Sequence, residues 1–134
     1  MPNTQGTHPH FDDRGAVKWY TSLAEGLAAA KAAQTKVFIE YGRATCSACL
    51  ALVEGAIPDE AVKARLNESF VAVAIDCDQP DPEVKKLGAL HMSWARSLPF
   101  VLYTDADGKF LHGTAGSRSV PELLEDLERI AAMK

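Results

Sequence analysis

Apolar and polar positions along the chain recur with two periods. From Ser22 onward, Leu23, Leu27 and Ala30 fall at helical spacing, and the alanine-rich run to Ala33 favours a helix by propensity. Ser22, followed three residues later by Glu25, has the form of a capping box. Lys36–Tyr41 is a short apolar run rich in β-formers and predicts a buried strand. Cys46 to about Ala56 predicts a helix, and Asp59–Leu66 predicts another. Phe70–Ile75 reads FVAVAI, with no polar side, as expected of a strand covered on both faces. Glu83–Leu87 predicts a short helix stopped by Gly88. Pro99–Thr104 predicts a third strand, Asp107-Gly108 a turn, and Lys109–His112 a returning fourth strand. Ser119 and Glu122 repeat the capping-box pattern, with Pro121 in the first turn, where its missing N–H costs little. Val120, Leu123, Leu124, Leu127, Ile130 and Ala131 then mark one face of a closing helix.

The order is helix, strand, helix, helix, strand, helix, strand, strand, helix. Helical crossovers between the first two strands make them parallel and right-handed, and the last two form an antiparallel hairpin. The expected fold is α/β, a mixed central sheet with helices on both faces, in one domain over residues 17–134. Residues 1–16 carry Pro, Asn, Gly, Asp and two His with little to bury, and are expected to form a flexible arm.

Composition narrows the class of function. A chain of 134 residues suits one domain. At this size about 68% of the unfolded surface can be buried, so no metal or disulfide is needed to hold a core. Lys+Arg total 14 against Asp+Glu 18, a net charge of -4, so a nucleic-acid partner is not expected. No apolar run approaches the roughly 18 residues of a membrane span. Met1–Arg14 is polar and lacks the apolar core of a signal peptide. The face-value expectation is cytoplasmic, or periplasmic or exported if a leader has been removed. Three cysteines are too few for a disulfide-rich scaffold.

The chemistry concentrates at Cys46-Ser47-Ala48-Cys49, which follows a predicted buried strand and opens a predicted helix. Residues three apart share a helix face, so the two sulfurs can reach bonding distance. Cys46 would sit among unpaired N–H groups at the positive end of the dipole, which stabilises a nucleophilic thiolate. Thr45 is a candidate N-cap, and Arg43 is close enough in sequence to add positive potential. Cys49, one turn deeper, would act second, attacking the Cys46 sulfur of a mixed disulfide. Glu40, six residues before Cys46 on an otherwise apolar strand, is a candidate acceptor for its proton. The alternative for Glu40 is a strand-edge carboxylate facing water. The alternative for the CxxC is half of a zinc or copper site, completed from Cys77, His91, His112, His8 or His10, which show no ligand spacing. A partner-binding module with little turnover is a third reading.

Glu40-Tyr-Gly-Arg-Ala-Thr-Cys46-Ser-Ala-Cys49, then Ser97-Leu98-Pro99-Phe100-Val101, Asp107-Gly108 and Thr114-Ala115-Gly116 before a last helix, resembles thioredoxin. With Trp19, Ser22-Leu23 and Ala28–Lys31 as lead-in, the chain is similar to thioredoxin-like disulfide reductases and isomerases over roughly residues 17–132. The resemblance implies Cys46 as the attacking cysteine, Cys49 as the resolving one and Glu40 as the buried acid. Pro99 would be a cis-proline packed against the disulfide. By itself it reads as a trans proline at a strand start. The backbone of Leu98 would pair with a substrate chain, with Thr45 and Gly116 beside it as further substrate-binding candidates. The implied substrates are protein thiols and disulfides. A second protein would donate or accept electrons, and no cofactor is implied beyond the Cys46–Cys49 disulfide itself.

Several positions depart from the pattern. Thr45 replaces a tryptophan, Ser47-Ala48 lacks the usual proline or histidine, and Ala74 falls where thioredoxin has a lysine near the buried acid. The stretch His91–Arg96 is longer than the usual loop and would either bring His91 or Trp94 to the site or simply pack. Cys77 is most simply a buried thiol, with a second redox role as the alternative.

Overall fold

The structure, a computed structural model, describes residues 7–133. Its sheet has five strands in the order β1-β3-β2-β4-β5. They are β1 (Trp19–Tyr20), β2 (Lys36–Gly42), β3 (Phe70–Asp76), β4 (Phe100–Thr104) and β5 (Phe110–Ala115). β3 runs parallel to both β1 and β2, while β4 is antiparallel to β2 and β5. The helices are α1 (Leu23–Ala33), α2 (Ser47–Leu50), α3 (Glu60–Ser69), α4 (Pro82–His91) and α5 (Val120–Ala131). α2 runs on into a wider π-helical turn over Ala51–Ala56.

The alternation of β2 sorts its side chains onto two faces. Val37 and Ile39 face a core layer with Leu23 and Ala30 of α1 and Val84 of α4. Phe38 faces the opposite layer, with Leu52 and Val53 after α2, Leu66 of α3 and Leu123, Leu127 and Ile130 of α5. Glu40, two residues beyond Phe38, therefore points toward α2. The α5 terminus is the reciprocal capping box expected: Ser119 Oγ accepts the Glu122 N–H, and the Glu122 carboxylate accepts the Ser119 N–H. Asp126, buried on this helix, is tolerated because Arg118 meets it with two hydrogen bonds of 2.9 and 3.0 Å.

Three expectations need correction. Gly88 does not stop α4, which continues to His91 and closes with Met92 N–H on Gly88 O. A glycine inside a helix costs about 1 kcal/mol, and burial of Val84 and Met92 on either side outweighs it. The two-residue strand β1 was not foreseen; it pairs Trp19 with Ala72 and Tyr20 with Val73.

The third concerns the expected arm. Residues 1–6 lie outside the described residues, but residues 7–16 pack onto the domain. His8, Phe11, Asp13 and Ala16 are buried. Asp13, fully shielded, accepts hydrogen bonds from the N–H groups of Gly15 and Val17 and from Trp19 Nε1 at 2.8 Å. Asn67 donates to Ala16 O, and Glu54 accepts from Asp12 N–H. Burying one aromatic such as Phe11 is worth about 1.5–3 kcal/mol. That anchor and the Asp13 hydrogen bonds supply what the composition of the segment concealed.

Candidate active site

β2 delivers the chain to the edge of its own core, and a tight loop then turns into α2. The N-cap of α2 is Cys46 rather than Thr45. Cys46 takes an extended conformation, and its Sγ accepts the Cys49 N–H at 3.1 Å. A sulfur already placed over the first turn leaves Thr45 no cap to make, and Thr45 stays exposed. Cys46 is half-buried, Cys49 is fully buried, and both are free thiols. Ser47 between them is exposed and Ala48 half-buried.

Cys49 is hard to ionise. Burial, above all, and then the hydrogen bond with the Cys46 side chain push its thiol up to about 12. The nearby Glu40 charge adds to this, while a hydrogen bond from the Arg43 backbone acts in the opposite direction. A thiol of this kind needs a base beside it before it can attack.

Glu40 is the carboxylate beside it. Its side chain is 3% exposed, so it is not a carboxylate at the strand edge. Gly42 shows how close the two groups lie. A Cβ built on Gly42 would fall 2.6 Å from Cys49 Sγ and 2.6 Å from Glu40 Oε2. The carboxylate oxygen and the sulfur are therefore no farther apart than twice that distance. On the neighbouring strands Glu40 is flanked by Ala74 and Val101, which offer no polar atom from their side chains. Its polar partner is instead His8, whose Nε2 lies 2.7 Å from Glu40 Oε1. Sequence reasoning counted His8 only as a possible zinc ligand. The signal it lacked was the packing of the segment that carries it.

The Leu98–Pro99 peptide is cis. Pro99 is buried, and Leu98 and Cys46 both pack against the core layer that contains Cys49. Gly116, with φ of +85°, donates its N–H to Pro99 O at 3.0 Å, and a Cβ there would face Ser97. The fold thus gathers Glu40, Cys46, Cys49 and Leu98 about one core layer and ties Gly116 to the loop carrying Pro99.

Other candidates fall elsewhere. The Arg43 guanidinium is held by Asp78 at 2.9 Å. Cys77 is half-buried and its N–H caps Gly42 O. His91 ends α4 and stacks on Phe110 with centroids 4.2 Å apart, while Trp94 is exposed and donates to His91 O. A metal site on the CxxC would need further ligands beside it. The grouping of three ligand side chains among the described residues is Asp76, Cys77 and Asp78, which contains neither Cys46 nor Cys49. No helix among these residues is long and apolar enough to cross a membrane.

A family model described as Thioredoxin-like matches residues 18–106. Among solved structures, the chain is similar to a thioredoxin from Thermus thermophilus, at 22% identity and a TM-score of 0.71 over 87% of this chain and 88% of that one. It is also similar to a putative disulphide-isomerase from Bacteroides thetaiotaomicron, at 20% identity and a TM-score of 0.70 over 88% and 93% of the two chains. A disulphide isomerase from Xylella fastidiosa Temecula1 shares 22% identity with a TM-score of 0.65, over 81% and 87%. No curated protein matches the sequence. A five-stranded mixed sheet with the CxxC at the mouth of α2 and a family match across about two thirds of the chain place this protein in the Thioredoxin-like family.

Proposed function

We propose that the protein is a thiol–disulfide oxidoreductase acting on protein thiols and disulfides, the substrates on which thioredoxin-like proteins act. One observation carries the reading: an accessible thiol caps a helix, and a buried thiol one turn below it lies beside a buried carboxylate.

The sulfur of Cys46, as a thiolate, attacks one sulfur of a substrate disulfide. The substrate S–S bond breaks and a Cys46–substrate bond forms. The second substrate sulfur leaves as a thiolate and takes a proton from solvent. Cys49 then passes its proton to Glu40, and its thiolate attacks the Cys46 sulfur. A Cys46–Cys49 disulfide forms, and the first substrate sulfur departs and is protonated. Two electrons and two protons have moved to the substrate. Run in reverse, the disulfide oxidises a substrate dithiol. The cysteine pair is the redox centre and calls for no further cofactor, and a protein electron donor or acceptor closes the cycle. The Leu98 backbone before Pro99, with Thr45 and Gly116 beside it, is the surface on which an extended substrate segment docks.

The test is the Cys49→Ser variant, which removes the resolving thiol. Mixed disulfides with client proteins are expected to accumulate on Cys46 and to be identified by mass spectrometry. If no adduct forms that depends on Cys46, the reading fails.

A further inference from the structure

We propose that His8 is a positioning residue for the exchange reaction: its Nε2–H holds Glu40 Oε1 and so aims the other carboxylate oxygen at the Cys49 thiol. This deepens the function proposed above and rests on it.

The tautomer of His8 follows from its contacts. Nδ1 accepts the backbone N–H groups of His10 and Phe11, each at 3.1 Å. A nitrogen accepting two N–H bonds carries no proton, so the ring proton sits on Nε2. That N–H donates to Glu40 Oε1 at 2.7 Å, across 32 positions in the chain. Protonating the ring would break both Nδ1 bonds, so His8 works as a neutral donor. Its side chain is 1% exposed, and its ring is held between Trp19, edge-on with centroids 4.8 Å apart, and Phe11, tilted at 31° with centroids 5.3 Å apart.

The consequence for Glu40 is direct. A buried carboxyl without a donor keeps its proton and cannot take another. With Oε1 held by His8, Oε2 is left on the side of Cys49 Sγ. The titratable groups around the pair are Cys49 and Cys46 of the α2 region and His10 of the same segment. The His10 ring lies 5.9 Å from that of His8 and is itself met by Asp76 at 3.4 Å. Asp13 is occupied by Trp19. β3 and β4 contribute only Ala74 and Val101 beside Glu40.

The experiment uses the reduced full chain and dithiobis-nitrobenzoate, an aromatic disulfide that releases a coloured thiolate. Attack by Cys46 releases one thiolate, and resolution by Cys49 releases a second. Stopped-flow absorbance follows both phases as a function of pH. His8→Asn keeps an acceptor oxygen for the backbone N–H groups but loses the donor to Glu40. His8→Gln places an N–H near the Nε2 position. His8→Met, of the same length as Gln without the N–H, serves if Asn disturbs folding. With the donor absent, the second phase is expected to slow about tenfold at neutral pH relative to the first, and its rise is expected to move to higher pH. Gln is expected to restore both. A second phase in Asn and Met that matches wild type at every pH would overturn the role of His8. So would a Gln variant as slow as Met. Absence of any Cys46-dependent first phase would instead remove the exchange reading, and this inference with it.

Discussion

Gly42 lies so close to the Cys49 sulfur that a methyl group cannot stand between them. A Cβ at that position would sit 2.6 Å from Sγ and equally close to Glu40 Oε2. The backbone of β2 and the first turn of α2 are thus pressed together at the point where the proposed proton transfer takes place. Gly42→Ala is expected to cost about 1–3 kcal/mol, the usual penalty of overpacking a closed site. It is also expected to slow resolution, because the carboxylate and the sulfur must part to admit the methyl group. Denaturant unfolding and the second phase of the aromatic-disulfide reaction measure the two effects.

The cysteines should differ in reactivity. Cys46 is half-buried, while Cys49 is fully buried and its thiol is pushed up to about 12. At neutral pH iodoacetamide is expected to label Cys46 well before Cys49, read by peptide mass spectrometry. The same shift makes the stability of the reduced protein depend on pH. An unfolded cysteine ionises near 8.5. Folding raises the value for Cys49, so its contribution is complete below about 8.5 and is lost as pH climbs toward about 12. The reduced wild type should therefore lose more Tm over that window than Cys49→Ser. Parallel curves would contradict this assignment.

Asp13 anchors the segment that brings His8 to the site. Asp13→Ala leaves the buried Trp19 Nε1–H and the Val17 N–H without an acceptor. A loss of about 1–3 kcal/mol is expected, from the desolvation of an unpaired donor. Asp13→Asn keeps one acceptor oxygen and should lose less. Urea midpoints rank the two, and a neutral effect of Asp13→Ala would mean that the segment contributes little to the fold.

His112 gives the fold a response to acid. Burial, and then Arg129, whose Nη2 lies 3.3 Å from its Nε2, hold the ring below its usual value. Unfolded histidine takes a proton near 6.5. The folded ring resists until a lower pH, so its contribution is present above about 6.5 and is lost as pH falls through the folded value. His112→Gln is expected to flatten this part of the Tm profile. An acid limb unchanged by the substitution would show that another group controls it.

Strand positions were readable because burial on both faces leaves its mark on composition. FVAVAI at Phe70–Ile75 has no polar face, and the structure covers it on both sides. The last helix was readable because a single apolar stripe and a capping box coincide at its start. The cysteine pair was readable because its spacing depends on local helix geometry. By contrast, the end of α4 was misjudged at Gly88, since packing of Met92 from beyond the glycine set the boundary. Thr45 was misjudged as the cap, since a cysteine sulfur already filled that place.

The order of the elements other than β1, the mixed sheet and the thiol pair follow from local periodicity and spacing, and one sequence suffices for that. Whether Glu40 faces water or sulfur, and what hydrogen-bonds it, depends on contacts between residues far apart in the chain. The segment around His8 carries no periodic signal, because it is held by a few specific hydrogen bonds and one buried aromatic rather than by a repeating face. Only the folded chain brings residue 8 to residue 40, since that meeting is a property of packing and not of spacing.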